Sequence, residues 1–98
     1  MSWFVFVRAE AEQDLDAARD WYDQKRAGLG GEFLDEFAAA MRALELNPER
    51  ERFYYRNFRR VIFRRFPYKI FYQIIGIRIV VFRVLHAKQD HEHRIEKS

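Results

Sequence analysis

Cysteine is absent from the 98-residue chain, and glycine and proline are scarce, at four and two residues. Without cysteine the protein has neither disulfide bonds nor thiolate chemistry. Long apolar runs are also missing at the N-terminus, where only the five residues 3–7 are apolar before a charge. That run is too short for a signal-peptide core or a membrane span. We therefore expect a cytoplasmic protein with no membrane partner.

Hydrophobic and aromatic residues are plentiful, at 49% and 17% of the chain. This content is well above that of disordered proteins, so the chain should fold. Its length suits a single core. We expect one domain over residues 1–88 and a polar C-terminal tail over residues 89–98, with no internal repeat.

Charge is divided unevenly along the chain. Residues 1–49 carry five basic and eleven acidic groups, a net −6, whereas residues 50–98 carry thirteen basic and four acidic groups, a net +9, which together give the +3 of the whole. A basic half suits a nucleic acid or an acidic protein segment as partner. Alternatively, the two halves neutralise each other across the fold.

Two helices are predicted after a first strand at residues 3–7. Helix spacing from Glu10 onward places Ala11, Leu15, Ala18 and Tyr22 on one face. Gly28 is expected to stop this helix, and Gly28, Gly30 and Gly31 form a short connection. A second helix is expected over residues 32–46, with an apolar stripe of Phe33, Phe37, Met41 and Leu44. So short a connection predicts an antiparallel hairpin.

The remaining chain predicts an antiparallel meander. Strands are expected at residues 60–65, 68–75 and 78–86, joined by short turns, and residues 53–58 form a short strand or a loop. The first strand, apolar on both faces, is expected inside the sheet. Together these elements predict an α+β fold with an N-terminal strand, a helical hairpin and a three- to four-stranded meander.

The last strand is apolar on both faces. Alternation places Ile79, Val81, Arg83 and Leu85 on one face and Val80, Phe82, Val84 and His86 on the other. The hairpin covers only one face and the tail is too polar to cover the other, so we expect a partner there. The predicted partner-binding residues are Arg60, Arg64, Lys69, Val80, Phe82, Arg83, Val84 and His86.

Structural roles compete with these functional ones. The basic residues are also explained as edge charges that prevent aggregation of the sheet. His86 is also explained as a hydrogen-bonded structural group, and His91 and His93 as tail residues in place of a metal pair. We expect neither a metal nor a cofactor.

An ordered set of motifs resembles the RelE/ParE superfamily of toxin–antitoxin toxins. The set comprises DLDAARDWYDQKRAGLGGEF, LELNP, YYRNFRRVIFRRFPYKIFYQI and a strand that ends in VLH. The resemblance implies a helical hairpin on an antiparallel sheet and a cognate antitoxin that wraps over the toxin in a hetero-oligomer.

The superfamily divides by target, and the residues favour one branch. RelE-like toxins cleave mRNA on the ribosome and need a base, an acid and cations for the phosphate. Two of their basic positions fall on Arg60 and Lys69, but another falls on Ile62. Their C-terminal aromatic position falls near Ile95, and no tyrosine follows Tyr72. The resemblance therefore favours a ParE-like toxin that binds DNA gyrase and is not an enzyme.

Two alternatives stay open. One is a ribosome-dependent, metal-independent endoribonuclease that uses Arg60, Lys69 and His86. The other is a non-toxic homologue that acts only in an antitoxin and repressor complex.

Overall fold

A computed structural model describes residues 3–89 and 91–96 of the chain. The elements in order are β1 (Phe4–Val7), α1 (Ala9–Lys25), α2 (Leu29–Leu46), β2 (Phe53–Tyr55), β3 (Phe58–Ile62), β4 (Tyr68–Ile75), β5 (Arg78–His86) and α3 (His91–Glu96). The strands form one sheet in the order β1-β5-β4-β3-β2. Strands β2 to β5 are the predicted antiparallel meander, so the α+β prediction is confirmed.

Helices α1 and α2 pack as a hairpin on one face of the sheet, and both predicted apolar faces are buried. Aromatic rings fill the space between hairpin and sheet. Phe33 of α2 stacks on Phe63 with 4.8 Å between ring centroids, and Tyr22 of α1 contacts Phe66 edge-on at 4.8 Å. Burial of one such ring stabilises the fold by roughly 2–3 kcal/mol.

Helix α2 begins at Leu29, earlier than predicted, so Gly30 and Gly31 are helical. Gly28 precedes it with a φ of 88°, a left-handed conformation that suits glycine. A Cβ atom on Gly30 would lie 2.4 Å from the Arg19 carbonyl oxygen, so glycine lets the two helices approach closely. Gly30 therefore serves helix contact, whereas Gly28 serves the turn between the helices.

Strand β1 lies at an edge of the sheet, so its predicted central position is wrong. Among the described residues it pairs only with β5, in parallel, from Phe4 opposite Arg78 to Val7 opposite Val81. Phe4 and Phe6 point away from the hairpin and are 60% and 53% exposed. Apolar residues on both faces therefore did not indicate cover on both faces.

The C-terminal segment is helical and contributes to the fold. Ile95 of α3 is 2% exposed and joins Phe58, Phe71 and Leu85 in a second apolar cluster. This cluster lies on the sheet face opposite the hairpin, which we call the outer face. The tail was expected to leave this face to a partner. At the centre of the outer face this expectation is wrong, because one isoleucine among the polar residues of the tail covers it. Asp90, Lys97 and Ser98 of the predicted tail lie outside the described residues.

Candidate functional site

A β-bulge changes which side chains of β5 reach the outer face. Tyr72 pairs with Val81 while Phe71 pairs with Arg83, so Phe82 is an extra residue in β5. The extra residue reverses the alternation beyond it.

Three predicted positions are therefore corrected. Val84 and His86 lie on the hairpin side, and Leu85 lies on the outer face with the second cluster. Val84 is 1% exposed, so its side chain is a core group and not a surface contact. Val80 and Phe82 keep their predicted outer side, and Val80 is itself buried.

The three residues of the nuclease alternative lie on different faces of the sheet. Arg60 pairs with Phe71, and Lys69 with Leu85, both outer-face residues. His86 pairs with Tyr68, which packs against Phe33 of α2 on the hairpin side. The sheet therefore separates the imidazole from the two cations.

His86 has its own structural contacts. Its Nδ1 accepts the backbone N–H of Lys88 at 3.1 Å, and its ring meets Tyr68 edge-on at 5.2 Å. A cavity of about 360 Å³ lies beside it, with Asp14, Trp21 and Gln89 among its lining residues. Burial and the nearby Asp14 carboxylate raise the pKa of Tyr68. His91 is buried, and its Nε2 contacts the His86 carbonyl oxygen at 2.9 Å.

Arg83 is held by Asp14 of α1. Its Nε and Nη2 donate to the two carboxylate oxygens at 2.7 and 2.8 Å, and the side chains are 16% and 15% exposed. The hydrogen bonds to Asp14 raise the pKa of Arg83. This predicted partner-binding cation therefore neutralises an acidic residue of the other half of the chain.

A groove of about 1240 Å³ lies between α2 and residues 50–65, with Arg60 and Arg64 among its lining. One wall is acidic, from Glu32, Asp35 and Glu36 of α2, and the opposite wall is basic and aromatic. We call this feature the groove. It brings together two of the predicted partner-binding residues.

Contacts across one end fix the width of the groove. Arg65 Nη2 donates to Glu32 at 2.7 Å, and Glu36 accepts the backbone N–H groups of Arg64 and Arg65. The Arg65 hydrogen bond holds the pKa of Glu32 below its usual range. Arg60 lies over the Tyr54 ring, 4.2 Å from its centroid.

The groove also exposes backbone and apolar groups. Strand β2 pairs with β3 only at Phe58 and Arg59, so within the described residues Arg60 to Ile62 have a strand neighbour only in β4. Phe53 and Ile62, at 61% and 58% exposed, flank this free edge. An extended segment can add to such an edge and place apolar side chains on them.

Sequence reasoning found the basic wall but not the groove. The acidic wall had a signal in the spacing of Glu32, Asp35 and Glu36, which places three carboxylates on one face of a helix. Only the fold shows that this face meets the free part of β3.

The architecture is that of a small α+β protein, with a helical hairpin on one face of a five-stranded sheet. A solved structure described as a chromosomal ParDE TA system from P. aeruginosa matches with a TM-score of 0.76 and 18% identity, covering 86% of this chain and 95% of that chain. At that identity the match establishes the fold. A comparison with curated protein sequences finds no significant match.

The family follows from the sequence itself. The profile for the ParE toxin of the type II toxin–antitoxin system parDE matches residues 5–91. The chain therefore belongs to the ParE toxin family, which confirms the resemblance and its ParE-like branch. None of the helices in residues 3–89 and 91–96 is long and apolar enough to cross a membrane.

Proposed function

We propose that this protein is a toxin that inhibits bacterial growth by binding DNA gyrase and is neutralised by a cognate antitoxin. The observation that carries a binding mechanism is the separation of His86 from Arg60 and Lys69 across the sheet. General acid–base catalysis needs its groups within hydrogen-bond reach of one substrate. Within a ParE-family chain, this separation supports binding over mRNA cleavage.

The target is tested by measuring DNA gyrase supercoiling and mRNA cleavage on translating ribosomes side by side. We expect supercoiling to be inhibited while the mRNA stays intact. His86→Gln serves as a variant of the nuclease alternative and should inhibit supercoiling as wild type does. If the wild-type protein cleaves mRNA and His86→Gln does not, the endoribonuclease would replace this proposal. If supercoiling is not inhibited, the mRNA is not cleaved and growth stays normal on expression, the non-toxic homologue would be favoured.

The antitoxin would occupy the groove. Its acidic groups would pair with Arg60 and Arg64, neither of which forms an ion pair within the described residues, and its apolar groups would cover Ile62. Its backbone would hydrogen-bond to the free edge of β3. Binding there, in the cytoplasm, would give a toxin–antitoxin hetero-oligomer.

The antitoxin position is tested with the product of the neighbouring small gene and two matched variants. Ile62→Glu puts a charge in the groove and should weaken binding by about tenfold or more. Leu46→Glu, on an 87% exposed residue outside the groove lining, should leave binding unchanged. Protection of β3 and β4 amides from hydrogen exchange in the complex is also expected. Protection confined to α1 and α2 would place the antitoxin elsewhere.

A further inference from the structure

Strand β1 presents an uncharged free edge at the end of the sheet opposite the groove. Residues 3–7 are Trp, Phe, Val, Phe and Val, and within the described residues β1 pairs only with β5. Soluble proteins usually protect such edges with charges, proline or bulges. The other edge strand follows this rule, since β2 is three residues long, irregular between Phe53 and Tyr55, and preceded by Arg50, Glu51 and Arg52.

Apolar side chains accompany this free edge on the outer face. Phe4 and Phe6 are more than half exposed, and Ile77, whose carbonyl oxygen accepts the Phe4 N–H at 3.1 Å, is 50% exposed. Helix α3 covers Phe58, Phe71 and Leu85 and not these residues. A partner at this edge therefore gains backbone hydrogen bonds and aromatic contacts together.

The backbone directions define how a second strand would pair. Phe4 and Arg8 donate their N–H groups toward β5, to the carbonyl oxygens of Ile77 and Val81. Backbone groups alternate between the two edges of a strand, so those of Val5 and Val7 point to the free edge. Val5 is thus set to form a hydrogen-bonded pair with a neighbouring strand.

We infer that β1 pairs antiparallel with β1 of a second copy about a two-fold axis at Val5, giving a continuous ten-stranded sheet. In this register Val5 opposes Val5, Trp3 opposes Val7, and Phe4 opposes Phe6 of the second copy. The segment Phe-Val-Phe is therefore complementary to itself, and both aromatic pairs fall on the outer face. Non-hydrogen-bonded positions, which these pairs occupy, bring side chains closest together.

A second copy suits this edge better than a partner of another kind. No charge in residues 3–7 would repel an identical strand, and none would select an acidic or basic partner. Two-fold pairing consumes both free edges, so the assembly closes at two copies and does not extend. The two grooves then lie at the far ends of the shared sheet, open to their own partners.

Self-association is measured first, by sedimentation of the full chain between about 1 and 100 μM, the range of a small interface. We expect a monomer–dimer equilibrium that Phe4→Lys weakens by about tenfold or more, because edge lysines oppose strand pairing. Leu46→Lys, a control on another exposed apolar residue, should dimerise as wild type does. A wild-type chain that stays monomeric throughout the range overturns the inference.

The register is tested by cross-linking, which the absence of cysteine makes specific. Phe4→Cys and Phe6→Cys chains are mixed and oxidised gently, and each chain is also oxidised alone. Opposed positions have Cα atoms about 4.5 Å apart, within disulfide range. Two copies of position 4 would be about 8 Å apart, beyond that range.

The mixture should therefore form disulfide-linked dimers at least about tenfold faster than either chain alone, since only it places two thiols within disulfide range. Equal rates in the three samples would show that the copies do not meet in this register. Because neither measurement uses gyrase or an antitoxin, the result is independent of the proposed function.

Discussion

Asp14 joins helix α1 to the part of strand β5 that has no β1 neighbour. Its carboxylate accepts two hydrogen bonds from Arg83 and one from the backbone N–H of Val84 at 2.9 Å. Beyond Val81 it occupies the position where a further strand would supply an acceptor. A single acidic residue thus satisfies a cation and an edge amide.

Asp14→Asn should lower the free energy of unfolding by about 2–4 kcal/mol, because it removes the carboxylate charge that faces a mostly buried guanidinium. Urea unfolding measures the loss. Asp16→Asn is the matched control, since Asp16 is 65% exposed and pairs with Arg19 at 3.4 Å. The control should lose less than about 0.5 kcal/mol. Equal losses would show that the Arg83 pair contributes no more than a surface pair.

Tyr72 is expected to make the free energy of unfolding decrease at alkaline pH. It is fully buried, its hydroxyl donates to the Pro48 carbonyl oxygen at 2.7 Å, and burial raises its pKa to about 12. Because the folded-state pKa lies above the ordinary value of about 10, the stabilisation is complete below pH 10 and is lost as pH rises toward 12.

The free energy of unfolding should therefore fall across this window, measured by urea titration at each pH. In Tyr72→Phe the free energy of unfolding should fall less steeply with pH. Burial also raises the pKa values of Tyr22 and Tyr68, so these two residues should account for the pH dependence that remains. The variant should also cost about 1 kcal/mol at neutral pH through the lost hydrogen bond. An unchanged slope in Tyr72→Phe would assign the pH dependence to other groups.

At the scale of elements, the glycines of α2 differ in what they permit. Gly30→Ala should destabilise the protein by about 1–3 kcal/mol, because its Cβ would overlap the backbone of α1. Gly31→Ala meets no atom within 4 Å and should stabilise the helix by up to about 1 kcal/mol. Thermal unfolding of both variants compares the signs. Stabilisation by both would mean that the helices separate at little cost.

Helix α3 depends on one apolar residue. Ile95→Ala should lower the free energy of unfolding by about 2–4 kcal/mol, because it empties a buried site beside Phe71 and Leu85. Glu92→Ala, on an exposed residue of the same helix, should change it by less than about 0.5 kcal/mol. Hydrogen exchange at the Phe71 and Leu85 amides should quicken only in Ile95→Ala. No difference between the variants would show that α3 does not stabilise the outer face.

Some elements of the fold could be predicted from the sequence and others could not. Both helices and the three long strands were predictable because their apolar residues recur at the helix and strand periods over many positions. The bulge at Phe82 was not, since one extra residue leaves no mark in an apolar strand yet moves Val84 and His86 to the other face. The position of Ile95 was hidden similarly, because six residues are too few to show a helical period.

The candidate site was predictable only in part. Arg60 and Arg64 stood out as cations beside apolar strand residues, and both line the groove. Arg83 shared that local pattern, but its partner Asp14 is 69 residues away in sequence. Ion pairs between residues far apart in sequence decide which cations remain for a partner. The alternation of side chains along one strand carries no information about such pairs.

At the scale of the whole molecule, the acidic helices and the basic strands partly neutralise each other. Asp14 with Arg83 and Glu32 with Arg65 each join the two halves of the chain. Arg60, Arg64 and Lys69 form no ion pair within the described residues, so positive charge remains around the groove and the outer face beside it. A field of this kind accelerates the approach of an acidic partner and weakens with salt.

The association rate of the antitoxin should therefore fall by about tenfold between 50 and 500 mM salt, measured by stopped-flow fluorescence. Two charge reversals separate a local field from net charge. Arg64→Glu, in the groove, should slow association severalfold at low salt, whereas Lys88→Glu, on an exposed residue outside the groove lining, makes the same change in net charge and should slow it less. Equal slowing would mean that net charge alone steers the antitoxin, and the groove would then contribute to the lifetime of the complex and not to its formation.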